Sequence, residues 1–193
     1  MSGDKFVQSI VDKDSLPDNY PTHRHDAYFW ECLGRTVATF GFLEEVLCRA
    51  IYAFTATKPC NEEEFEEEYE KMIVKLERSI SDQLGGLIDT FGKAVRDNPN
   101  STIENLENLL TKLRKASKTR NVLCHGSWKA PDKKGASIPF FVNRQKEIFE
   151  TSINTSYLQQ VQKHSTELIC EVINCITHMG WQFPGSFGPG KTI

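Results

Sequence analysis

The sequence lacks what would make its cysteines a scaffold or a metal site. Cys32, Cys48, Cys60, Cys124, Cys170 and Cys175 are scattered, with no C-x-x-C pair among the six. Met1-Ser-Gly-Asp-Lys5 has no apolar core of the kind that directs secretion, so reduced thiols and a cytoplasmic location are expected. No apolar run approaches the roughly 18 residues needed to cross a bilayer, so no membrane partner is expected. Nor is there an excess of positive charge: 23 Lys and Arg against 26 Asp and Glu give a net charge of -3. Any affinity for nucleic acid must therefore come from a local basic patch.

What is present is enough apolar sequence, 39% of 193 residues, to close one sizeable core. Residues 1–25, with Pro17 and Pro21, read as a flexible arm. A single domain is expected over 26–180 and a Gly/Pro-rich flexible tail over 181–193. The first helix should open at Asp26, since Phe29, Leu33, Val37, Phe40, Leu47, Ile51 and Phe54 recur at helical steps.

Lys58-Pro59-Cys60-Asn61 ends that stripe, and a second helix follows with Phe65, Tyr69, Met72, Leu76, Ile80 and Leu84 on one face. Its opening glutamates, between Glu62 and Glu68, suit a helix N-terminus and a solvated face. Gly85-Gly86 marks a kink or stop before a short helical stretch over Leu87 to Val95. Ser101-Thr-Ile-Glu104 reads as a capping box opening a third major helix that runs to about His125, with Gly126 as its stop. Residues 127–151 are β-rich pieces separated by turns, which predicts a small hairpin or meander. A last helix, capped near Asn154, carries Leu158, Val161, Leu168, Val172, Cys175 and Met179, and Gly180 ends it.

At about 100° per residue, Leu110, Leu113, Ser117, Arg120 and Cys124 fall within roughly 40° of Leu106, on the core-facing stripe. A charge there needs a partner. On the first helix Glu44 lies roughly 40° from the apolar centre and Glu45 points to water, so Glu44 is expected to meet Arg120 or orient His125. Arg114, Lys118, Asn121 and His125 follow at steps of four, three and four, forming a basic strip beside that stripe.

The segment Lys118-Thr-Arg-Asn-Val-Leu-Cys-His-Gly-Ser-Trp128 resembles the signature of the HEPN superfamily (higher eukaryotes and prokaryotes nucleotide-binding). In that family an arginine, usually followed by a polar residue, precedes a histidine by four to six residues. Here Arg120, Asn121 and His125 match, Gly126 and Trp128 follow as in many bacterial relatives, and the Leu43-Glu44 pair of the first helix extends the likeness. It covers roughly residues 26–180. The resemblance implies an all-α fold, an antiparallel bundle of four to five helices, and a homodimer whose two motifs share a composite active site. Many members are metal-independent endoribonucleases, toxins or phage-defence effectors, that leave 2′,3′-cyclic phosphate ends, and a toxin would have an antitoxin protein as partner. Others only bind RNA, nucleotide or a partner protein.

The side chains suit that chemistry. Neutral His125 would take the proton of an attacking 2′-OH, and the partner copy's histidine would protonate the leaving 5′-oxygen. Arg120 would offset charge on the non-bridging oxygens, Asn121 would orient the histidine or phosphate, and Glu44 would hold Arg120. Arg114 and Lys118 would hold the RNA backbone, and Trp128 would stack on a base. No cofactor or metal is called for.

Other signals weigh less. Gly185-Ser-Phe-Gly-Pro-Gly-Lys-Thr192 matches a phosphate-loop pattern but has no helix after it to aim amides at a phosphate. His23 and His25 are a weak metal pair. Cys124, beside His125, projects onto the apolar stripe and is expected to be a buried structural thiol.

Overall fold

The computed structural model describes residues 9–61, 63 and 65–185. Among the described residues there are five α-helices: α1 (Ala27–Ala56), α2 (Phe65–Ser81), α3 (Leu84–Asp97), α4 (Leu106–His125) and α5 (Thr155–Thr177). None of them, among the described residues, is long and apolar enough to cross a membrane. The side chains of Phe65, Leu76 and Ile80, and residues 186–192 of the loop-like tail pattern, lie outside what is described.

The long helix α1 is the axis of the core. Asp26 caps it, its carboxylate accepting the Phe29 amide at 2.7 Å, as the sequence predicts. The predicted stripe is buried along almost its whole length, from Phe29 through Phe40 and Leu47 to Phe54, and packs chiefly on α5 and α3. Each such leucine or phenylalanine contributes roughly 1.5–3 kcal/mol on burial. Thr36 ties the two main helices together: its hydroxyl donates to Cys32 O in its own helix and lies 3.2 Å from Leu158 O at the start of α5. Helix α5 is capped by Asn154, which accepts the Tyr157 amide at 2.9 Å.

Three local expectations need correction. The break after α2 falls at Asp82-Gln83, so that Gly85 and Gly86 sit inside the first turn of α3. The capping box does not form, because α4 starts only at Leu106, after Asn105, with no side-chain cap. The preceding connection is held instead by Asn98. That buried side chain donates to Phe54 O at 2.8 Å and Thr57 Oγ1 at 3.0 Å, and accepts the Asn100 amide, so it fastens the end of α3 to the end of α1. Finally, residues 127–151 form no hairpin or meander. The described residues contain only isolated bridges, Ser127 with Phe140, Ser137 with Ile153, and Val142 with Ile148, because each short piece pairs with a different neighbour.

This irregular segment is still firmly attached. His25 is buried, stacks on Phe29 with ring centroids 3.9 Å apart, and places Nε2 3.0 Å from Lys129 O and 3.1 Å from Ser137 Oγ. Trp30 Nε1 donates to Thr22 O at 2.8 Å. At the other end Phe183 is buried, and Arg49 donates to Pro184 O at 3.1 Å. The packed body thus reaches past 26–180 at both ends.

Candidate functional site

Helix α4 positions the site. Its first four turns bury Leu106, Leu110, Leu113 and Ser117 as projected, but in the last turns the buried face changes. Val122, roughly 160° around the axis from Leu106, is buried, whereas Cys124 at the centre of the projected stripe is exposed. On that far side of the helix Val122 lines a cleft together with Phe141 and Phe149 of the 127–153 segment. Cys124 is therefore not the buried thiol the periodicity predicts.

The expected partner of Arg120 is in place. A guanidinium nitrogen lies 3.3 Å from Glu44 Oε1, and the side chains are only 22% and 26% exposed. That carboxylate oxygen is shut off from solvent and accepts no hydrogen bond, so the pairing is Coulombic rather than directional. On its other side Arg120 reaches Asn121 Oδ1 in a long 3.5 Å contact. A line of polar groups thus runs from Glu44 in the α1–α4 contact, through Arg120, to Asn121 at the surface.

Asn121 and His125 open onto a cleft of about 790 Å³ between the end of α4, the start of α3 and the 141–149 loop. Lys118 lines it beside them. Arg120 and Glu44 stand behind this wall. Gly126 ends α4 by close approach and not by a left-handed turn: its φ is -71°, and a Cβ there would sit 2.6 Å from Val122 O and 2.8 Å from Pro139 Cβ. The glycine lets the chain fold back so that the 139–149 stretch can face His125.

The remaining predicted residues are placed elsewhere. Arg114 is held by Asp89 at 2.9 Å on the exposed surface, away from the cleft wall, so the basic strip narrows to Lys118, Asn121 and His125. Trp128 packs edge-on against Phe29 at 5.0 Å and lies near His25 and Trp30, which commits its ring to an internal aromatic cluster. His25 serves the same cluster, and no group of metal-ligating side chains occurs among the described residues. Cys48, one turn from Glu44, has its thiol pKa raised by burial and then by Glu44, Asp82 and Glu45, which leaves it a poor nucleophile.

The sequence missed Arg144. It sits at the tip of a tight turn in which Asn143 N donates to Glu147 O, Lys146 N to Asn143 O, and the Asn143 amide to the Glu147 carboxylate at 2.6 Å. Read along the chain, Arg144-Gln-Lys146 is a turn, and only the fold brings Arg144 into the lining of the same cleft as Lys118.

No protein-family model, no curated protein and no solved structure matches this chain.

Proposed function

We propose that this protein is a metal-independent endoribonuclease of the HEPN kind, a cytoplasmic toxin or phage-defence effector whose helices form an antiparallel bundle. The observation that carries the reading is the convergence of Asn121, His125 and Lys118 on one cleft, with Arg120 buttressed behind them by Glu44. His125 is exposed on the cleft wall, where neutral imidazole would accept the proton of a ribose 2′-OH as that oxygen attacks the adjacent phosphorus. Lys118 on the wall, with Arg120 behind it, offsets the charge gathering on the non-bridging oxygens. Asn121, touched by Arg120, orients the phosphate or the imidazole.

The leaving 5′-oxygen must gain a proton, and a single chain offers this cleft one histidine. Catalysis therefore requires a homodimer that brings a second His125 close. The same observation favours a second reading, in which the chain binds RNA, nucleotide or a partner protein, including an antitoxin, without cleaving.

The test is to incubate the protein with total RNA in excess chelator beside His125→Ala and Arg120→Ala variants of verified fold. Cleavage leaving 2′,3′-cyclic phosphate ends, lost in both variants, is the expected result. Cleavage that persists in His125→Ala removes the mechanism, and none with the unaltered protein leaves the binding reading.

A further inference from the structure

We infer that the cleft holds a second phosphate beside the one handled by His125, in a subsite made by Ser117, Lys118 and Arg144 at the N-terminal turn of α3. The inference rests on the RNA reading above and narrows it: the substrate is a segment gripped by two successive phosphates.

Ser117 carries the argument. The residue is 9% exposed and lines the cleft, and its hydroxyl has no hydrogen-bond partner among the described residues. A helical serine commonly bonds the carbonyl four residues back; Thr111 and Thr119 in the same helix do so, and Ser117 does not. The hydroxyl is reached from the cleft, where a ligand oxygen would accept its hydrogen bond.

The surrounding charges fit an anion. Lys118 and Arg144 both line the cleft, against one lining carboxylate, Glu147, which the Asn143 amide already engages. The same lining includes Gln83 to Gly86, the start of a 14-residue helix whose N-terminus has no side-chain cap. Its amides and dipole favour negative charge. Asp82 touches this turn at Gly86 but lies outside the cleft lining, so it only partly offsets that field.

Ser117 stands one turn before Asn121, about 5–6 Å along the helix, the scale of a single nucleotide step. Phe141 and Phe149 line the same cleft and offer apolar rings to a base.

Titration calorimetry at fixed ionic strength tests this with two uncleavable probes, a 2′-O-methyl uridine dinucleotide with phosphates at both termini and the same dinucleotide without them. The terminal phosphates should tighten binding by about tenfold in the unaltered protein and in His125→Ala. Arg144→Gln and Ser117→Ala should each reduce that gain to about threefold or less. Equal affinity for the two probes, or a full gain retained in Arg144→Gln, overturns the subsite. RNA cleavage is scored separately: a phosphate gain without cleavage keeps the subsite and removes the ribonuclease, and cleavage without the gain does the reverse.

Discussion

Glu44 and Arg120 face each other at 3.3 Å across the contact between α1 and α4, and neither is more than about a quarter exposed. Removing one partner strands the other in a poorly solvated place. Glu44→Ala should destabilise the protein by about 1–3 kcal/mol. The double variant with Arg120→Ala should lose about 1 kcal/mol less than the sum of the two single losses. Denaturant unfolding of the four proteins measures this, and strict additivity would mean that the two charges do not interact. In cleavage assays Glu44→Gln should retain the fold but lower the rate, because it removes the charge that holds the guanidinium.

Gly126 is demanded by space. Gly126→Ala pushes a methyl into Val122 O and Pro139 and should cost about 1–3 kcal/mol. Gly41→Ala is the control: it lies on the exposed face of α1 with nothing within 4 Å of the added carbon, and should stabilise by up to about 1 kcal/mol. Thermal unfolding should move in opposite directions for the two substitutions.

The Glu44–Arg120 pair and the caps at Asp26 and Asn154 follow from periodicity and local chemistry, which act within a few residues or one helix face. Cys124, Arg144 and Asn98 do not. Each depends on a segment distant in sequence: at the end of α4 it is Val122, in a cleft shared with the 141–149 loop, that is buried while Cys124 is exposed, and Arg144 matters only because its turn lines the same cleft as Lys118. The predicted hairpin failed for a related reason. Its β-prone pieces satisfy their amides one bridge at a time, with Ser137 taken by Ile153 at the threshold of α5.

Trp128 belongs to the packing. Trp128→Ala should destabilise by about 2–3 kcal/mol, less than for a fully buried tryptophan since it is half-buried. Trp128→Phe should recover most of that loss and leave RNA affinity unchanged. A fall in affinity in a stable Trp128→Phe protein would return the ring to the binding surface.

The 132–136 turn supplies a pH dependence. Asp132 accepts the Ala136 amide at 3.0 Å and the Lys134 amide at 2.7 Å, and these bonds, with a smaller effect of the Lys134 charge, lower its pKa. Its folded pKa is thus below its unfolded one. The stabilisation is present above the ordinary aspartate range and disappears as pH falls through the folded value. Asp132→Ala should therefore be less stable than the unaltered protein at neutral pH, and the two should converge under acid. A constant difference across that range would show that the carboxylate charge is not involved.

The thiols should react in an order set by burial and charge. Cys60, Cys124 and Cys170 are exposed, whereas burial, followed by the nearby Glu171, pushes the Cys175 pKa up to about 11. Because the thiolate is the reacting species, at pH 8 Cys175 presents on the order of a hundredfold less of it than an ordinary cysteine. Brief iodoacetamide treatment followed by peptide mass mapping should find label on the three exposed positions and almost none on Cys175. Cys124 is the discriminating residue. Its rapid labelling would match the changed face at the end of α4, and protection in the native protein with labelling only on unfolding would restore the buried position that periodicity alone assigns it.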